Sequence, residues 1–280
     1  MSTNFLLNFT PTGMIPTKAM TPEVPILPAE IVRQVGEAVA LGANMVHLHA
    51  RDAVTGKPTY EKAVYAEIVA GVRAQHPELV ICLSTSGRDF PGFAERSECL
   101  ELTGDLKPDM GSLTLSSLNF NNQPSMNAPE MIQSLARKML ELDIKPELEA
   151  FDLGMINYAH YLIRKGLLRP PYYFNLILGN IACAQANLLS LGLMIKELPD
   201  DSIWSVGGIG DSQLRMNAIG IADGGGVRVG LEDNIWYDAA RTRLASNRDL
   251  VARVVDIATA MGRTPYSHGA ARGLLGLAPR

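Results

Sequence analysis

Two short stretches hold the groups that could do chemistry. His47 and His49, in Val46-His47-Leu48-His49, stand two apart in a strand-like run, so both imidazoles face one side of a strand. Arg228, Glu232 and Asp233 fall within residues 228–234, at the end of a β-like run that includes Val227 and Val229. Two histidines and one carboxylate from separate strands are the usual ligand set of an open catalytic zinc site, which keeps a fourth position for substrate or water. Adjacent carboxylates cannot both face one ion equally, so one of Glu232 and Asp233 is expected to ligate and the other to handle protons. A guanidinium within reach favours the ionised form of Asp233, and an Arg–Asp pair can orient an anionic substrate or hold a base in place. A single histidine on an apolar strand is more often a core residue. The pair at a strand's end, followed at once by Arg51-Asp52, favours ligation, with Arg51 and Asp52 bracing the imidazoles or the adjacent turn.

Weaker signals lie elsewhere. Gly207-Gly208-Ile209-Gly210 precedes a helix and fits either a phosphate cradle of backbone N–H groups or a tight turn needing positive φ. Ser84-Thr85-Ser86-Gly87 and Ser112-Leu113-Thr114 end strands, where a hydroxyl can bond a substrate oxygen, although Ser and Thr end strands routinely. Of Glu147 and Glu149, one is expected to point inward. His76, His160 and His268 have no partner in sequence and are expected to be structural.

These groups need elements to hold them. β-Branched runs at 4–10, 45–49, 79–84, 110–115, 146–151, 173–178, 203–206 and 226–229 alternate with helical patterns at 28–41, 62–75, 128–142, 155–165, 182–198 and 211–222. Eight strands with helices between them predict an α/β fold, a (β/α)8 TIM barrel, as one catalytic domain over 1–280. Residues 241–280 are expected to form closing helices, with a loop at 266–268. An open doubly wound sheet is the weaker reading, because no G-x-G-x-x-G follows the first strand. In a barrel, catalytic groups gather at the carboxyl ends of the strands, which is where the second and eighth strands end in His47/His49 and in residues 228–233.

A chain of 280 residues, 47% hydrophobic, can bury the core that a barrel needs. The formal charge of −4 and the lack of any Lys/Arg run argue against a nucleic-acid partner. Cys82, Cys99 and Cys183 are widely spaced and predict no disulfide framework, which points to a reducing cytoplasm. The first residues have no basic segment and their apolar run is broken by Asn8, so neither a signal peptide nor a membrane span is expected.

VHLHAR at 46–51, SVGGIG with QL and MNA at 205–218, and RVGLEDN at 228–234 together resemble the β-keto acid cleavage enzyme (BKACE) family. STSG at 84–87, SLT with NF at 112–120, PELEAFDLG at 146–154 and LLGL at 274–277 extend the similarity in family order over nearly the whole chain. The resemblance implies a zinc-dependent homotetramer that converts a β-keto acid and acetyl-CoA into acetoacetate and a new acyl-CoA. It implies His47, His49 and Glu232 as metal ligands, Arg228 and Asp233 as a catalytic dyad, and Ser84 and Thr114 as groups that hold the keto acid. Residues 207–210 could then meet CoA phosphates. Two departures stand out. Members acting on amino-substituted keto acids carry a Glu two residues after the first-strand glycine, whereas Ile15, beside Met14, takes that place after Gly13. An apolar group cannot compensate a buried ammonium, so a neutral or apolar keto acid is expected instead. The family also often has a basic residue where Asp211 stands. Rival readings are a class II aldolase and an amidohydrolase-like hydrolase, the latter needing further histidine ligands on later strands. A metal- or ligand-binding pseudoenzyme is the non-enzymatic alternative, and the intact ligand set and dyad argue against it.

Overall fold

The computed structural model describes residues 3–280; Met1 and Ser2, in the first of the segments considered above, lie outside them. Eight parallel strands close into a barrel in sequence order: β1 Leu7–Phe9, β2 Met45–Leu48, β3 Val80–Leu83, β4 Met110–Thr114, β5 Lys145–Ala150, β6 Tyr172–Leu178, β7 Ser202–Gly208 and β8 Gly226–Val229. The helices are α1 Pro28–Ala40, α2 Lys62–Gln75, α3 Phe93–Ser97, α4 Pro129–Glu141, α5 Leu153–Arg164, α6 Leu188–Lys196, α7 Ser212–Ala222, α8 Asn247–Ala260 and α9 His268–Leu274. The fold is the expected TIM barrel. Among the described residues, no helix is long and apolar enough to cross a membrane.

Local chemistry sets the helix ends. Pro28 opens α1, where its missing N–H costs nothing, and the Glu30 carboxylate accepts from the N–H groups of Ile26 and Leu27. Asp152 caps α5 by accepting from Met155 N at 3.0 Å, so that helix starts ahead of the expected 155. The helix expected over 182–198 begins only at Leu188. Ala184 N is drawn to Phe151 O and Gly179 N to Ala184 O, and Asn187 then caps the helix through Ser190 N. Tertiary hydrogen bonds there override an apolar, helix-compatible composition. The run expected at 4–10 also divides: Asn4–Phe5 pairs with Thr264–Pro265, and the barrel takes Leu7–Phe9. His268 is the first residue of α9, capped by Ser267, rather than part of a loop.

The barrel interior is layered. At its amino-terminal end Met45, Val80, Cys82, Met110 and Tyr173 form an apolar plug with Leu6, and Ala271 and Leu275 of α9 and its end seal it from below. Beyond the plug the inward positions turn polar: Asn8, His47, Glu147, Asn175 and Arg228 are all buried. Met45 and His47 share a face because they are two residues apart on β2.

Below the plug, Asp109 accepts from Arg73 (2.5 Å), Arg272 (2.9 Å), Arg280 (3.2 Å) and Ile81 N (2.9 Å). Burial alone would raise its pKa, but the Arg272 hydrogen bond and the Arg73 charge outweigh it and hold the carboxyl below its usual range. The folded pKa is therefore below the unfolded one. The cluster stabilises above the ordinary carboxylate pKa, and that contribution is lost as pH falls through the depressed value. Asp109→Ala leaves buried guanidiniums unpaired and is expected to cost about 3–5 kcal/mol, read as a drop in denaturant midpoint at neutral pH. An unchanged midpoint would contradict this role.

Candidate active site

The carboxyl ends of β2, β5 and β8 meet over the plug. His47 Nε2 and His49 Nε2 are 3.1 Å apart, and Glu232 Oε1 lies 3.3 Å from the second and 3.9 Å from the first. A tetrahedral ion with nitrogen and oxygen bonds of about 2.0–2.1 Å keeps its ligands about 3.3 Å apart, so the three atoms are spaced as a metal would need them. The other Glu232 oxygen, Oε2, is buried without a hydrogen-bond partner among the described residues, as fits a carboxylate set to face a cation.

Glu147 sets the chemistry of His47. Its Oε2 accepts from His47 Nδ1 at 2.5 Å, and its Oε1 accepts from the amides of Asn8 and Asn175, each at 2.7 Å. Nδ1 is thereby committed as a donor, and the Nε2 lone pair faces His49 and Glu232. Burial disfavours the His47 imidazolium, but Glu147 and Glu232 overcome this and raise its pKa to about 9. His49 goes the other way: burial lowers it to about 4 despite Glu232, leaving a neutral imidazole. A positive charge is thus favoured between these groups, and a metal ion would supply it. Glu147→Gln weakens the orientation and basicity of His47 and is expected to lower metal affinity about 10–100-fold, measured by chelator competition. Unaltered affinity would rule out the role.

Arg228 binds Asp233 through Nε (2.8 Å) and Nη2 (3.3 Å), and Nη2 also donates to Glu232 Oε1 at 2.6 Å. Glu149 is 3.6 Å from Nη1, which makes no hydrogen bond among the described residues. Burial would discharge the guanidinium, but Asp233, Glu232 and Glu149 hold its pKa well above its ordinary value. Burial raises Glu232 less than Arg228, His49 and His47 lower it, and its pKa falls well below the usual range. For Asp233 burial prevails, aided by Glu232, and its pKa rises despite Arg228. One of two adjacent carboxylates is thus a firm anion and the other a stronger base.

Several expected residues line one cavity of about 530 Å³: Met14, Ile15, His49, Ser84, Thr114, Arg228, Glu232 and Asp233, with His47 buried beneath. Thr114 Oγ1 donates to Glu149 at 2.6 Å. Arg51 serves the neighbouring loop rather than the imidazoles: it donates to the carbonyls of Gly13, Pro16 and Gly56 and so pins the segment carrying Met14 and Ile15. Asp52 caps Thr55. Gly13 has φ +62°, and a Cβ there would come within 2.5 Å of Glu232 Cγ, so glycine lets this loop pass beside Glu232.

Gly207, Gly208 and Gly210 do not line the cavity. Ile209 N donates to Leu178 O and Gly210 N to Asp233 O, and Gly210 has φ +58°. With two of its amides committed internally, this segment fits the tight-turn alternative. Gln213 Nε2 donates to Gly230 O, and Asn217 Nδ2 to Val206 O and Arg228 O, so α7 ties the ends of β7 and β8 together. His160 and His268 bond the carbonyls of Glu197 and Ala43 and take no part in the site, which removes the extra ligands an amidohydrolase would need. The expectation that one of Glu147 and Glu149 points inward is corrected: both do, as residues two apart on a strand must. Sequence reasoning did not single out Arg88, a further cavity residue in the loop after β3.

A family profile described as beta-keto acid cleavage enzyme matches residues 4–277. The 3-keto-5-aminohexanoate cleavage enzyme of Fusobacterium nucleatum is 35% identical over 262 residues, 93% of each chain. The 3-oxoadipate:acetyl-CoA acetyltransferase of Cupriavidus necator is 35% identical over 269 residues, 95% of this chain and 92% of that one. Among solved structures, the ternary complex of ObcA with a C4-CoA adduct and oxalate shares the fold, with a TM-score of 0.82 at 23% identity over 93% of this chain and 68% of that one. On the profile match and the relatives together, the chain belongs to the beta-keto acid cleavage enzyme family.

Proposed function

We propose that this protein is a metal-dependent transferase that converts a β-keto acid and acetyl-CoA into acetoacetate and the acyl-CoA of the remaining chain. The observation that carries the reading is the meeting of the His47/His49/Glu232 trio and the Arg228–Asp233 pair on one cavity in a chain of this family. His47, His49 and Glu232 would hold the ion. Bound there, it would polarise the ketone and carboxylate oxygens of the keto acid as a Lewis acid. We take zinc as the ion; two histidines and a carboxylate also suit iron, cobalt or nickel.

The protein's own groups do the rest. Asp233, made more basic by burial, takes the proton from C2 of the keto acid, and Arg228 holds it in place. Ser84 offers its hydroxyl to the keto acid's oxygens, and Thr114 would do so on releasing Glu149, to which it donates. The C2 carbanion attacks the acetyl thioester and CoA leaves as the thiolate. The thiolate then adds to the neighbouring ketone carbon, the C2–C3 bond breaks, and the proton returns as acetoacetate departs. Neither a lysine Schiff base nor a serine nucleophile is required. Ile15 in the cavity wall supports rejection of amino-substituted substrates, because it offers no charge to an ammonium. A cytoplasmic homotetramer is the setting we infer, supported by the free cysteines and the family resemblance.

A coupled assay for acetoacetate tests the reading. Acetoacetate should appear only with both a β-keto acid and acetyl-CoA and vanish with chelator, and an amino-substituted keto acid should be the poorest substrate. Cleavage that proceeds equally well without acetyl-CoA would instead indicate an aldolase.

A further inference from the structure

Among the described residues, Arg88 is a cation with no carboxylate in contact. Its side chain makes no hydrogen bond and no ion pair among the described residues, and its Nε is buried with nothing to donate to. The guanidinium carbon lies 3.8 Å over the ring of Phe120, which stands edge-on against Phe151 with centroids 5.9 Å apart. Phe120 is held by a hairpin in which its N–H donates to Gln123 O. Stacking fixes the plane of the guanidinium and occupies its face, but leaves the nitrogen-bearing edge free to form a fork with a planar anion.

Among the described residues no carboxylate touches it: Glu232, Glu149, Asp89 and Asp233 attract it only from a distance. Of the cavity carboxylates, Glu232 and Asp233 are taken by Arg228, and Glu149 by Thr114 and Arg228. Stacked on Phe120 with its Nε buried and unpaired, the guanidinium gains from a planar anion, and a bidentate carboxylate is the partner its geometry suits. In the reaction proposed above, the carboxylate common to all β-keto acids is taken up by the ion on the metal trio and by the Ser84 hydroxyl, which leaves Arg88 for a second one. A cavity of about 530 Å³ holds a small acid and the tip of a thioester, which leaves the phosphates of CoA outside.

We propose that Arg88 receives a second carboxylate at the distal end of the keto acid, so that the preferred substrate is a β-keto dicarboxylic acid. This rests on the function proposed above and departs from the neutral side chain expected from Ile15 alone, putting an anionic one in its place. Ile15 and Arg88 agree in excluding an ammonium; Arg88 adds an attraction for the opposite charge.

The test compares a six-carbon 3-oxo dicarboxylate with 3-oxohexanoate, which lacks the second carboxylate, in wild type, Arg88→Met and Arg88→Lys. Methionine keeps an apolar contact with Phe120, and lysine restores the charge without the fork. Wild type should prefer the dicarboxylate. Arg88→Met should lower kcat/KM for it about 100-fold, with 3-oxohexanoate changed by less than about threefold, as for the loss of one hydrogen-bonded charge pair. KM for acetyl-CoA should stay constant, and lysine should recover part of the loss. A wild-type preference for 3-oxohexanoate overturns the proposal, as does an equal loss on both acids or a raised KM for acetyl-CoA. Each of these leaves the transferase reading standing. Wild-type silence on both acids with acetyl-CoA present overturns that reading, and the proposal with it.

Discussion

Asp233→Asn lowers kcat by about 10²–10⁴-fold, the usual worth of a positioned proton-transfer group, while the bound metal is retained. The asparagine keeps the shape and a carbonyl oxygen for Arg228 Nε, which now spans 2.8 Å to Asp233 Oδ2, so folding should survive. It removes the proposed base, a carboxyl whose pKa burial raises above the usual carboxylate range. Exchange of the C2 protons of the keto acid with deuterated solvent should stop along with turnover, which places the defect at proton removal. A variant that turns over at the wild-type rate would assign the base elsewhere, with Glu149, also raised by burial and bonded to Thr114, as the next group to test.

Glu232→Gln is expected to remove both the proposed metal and the activity. Glu232 carries an orphaned buried oxygen, and its Oε1 is 3.3 Å from His49 Nε2, so the amide replaces a firm anion with a neutral group where the ligand charge is needed. Losing Lewis-acid help worth several kcal/mol corresponds to about 10³-fold or more in rate at roughly 1.4 kcal/mol per tenfold. Metal content by elemental analysis should fall in step with kcat, and the circular dichroism melt should remain cooperative. Full metal occupancy together with wild-type turnover would remove Glu232 from the ligand set. His49→Ala should behave alike, since its Nε2 faces the same point as that of His47.

Most of the barrel was legible because short strand-compatible runs alternate with helical patterns along the chain. His47 and His49 were legible because a spacing of two puts both on one face. The partnership of Glu147 was not. β2 and β5 are three strands apart, and His47 meets Glu147 only when the sheet closes, so no local spacing reports it. The pleat does require Glu147 and Glu149 to share the inner face, a signal present in the sequence and under-read. Arg88 follows a Ser/Thr/Gly stretch without periodicity, and its isolation exists only in three dimensions. The glycines at 207–210 were ambiguous because a cradle and a turn share a composition. They differ in where the amides point, which the Leu178 and Asp233 carbonyls decide. The rise in the pKa of Asp233 likewise comes from burial beside Glu232, whereas sequence proximity to Arg228 suggested the opposite direction.

In the proposed reaction the acetyl group of acetyl-CoA is joined to C2 of the keto acid before the C2–C3 bond breaks. The measurement that tests it most directly supplies acetyl-CoA labelled with ¹³C in both acetyl carbons, together with an unlabelled β-keto acid, and locates the label in the products. Both labelled carbons should appear at C3 and C4 of acetoacetate and none in the new acyl-CoA. Label in the acyl-CoA, or unlabelled acetoacetate, would contradict it.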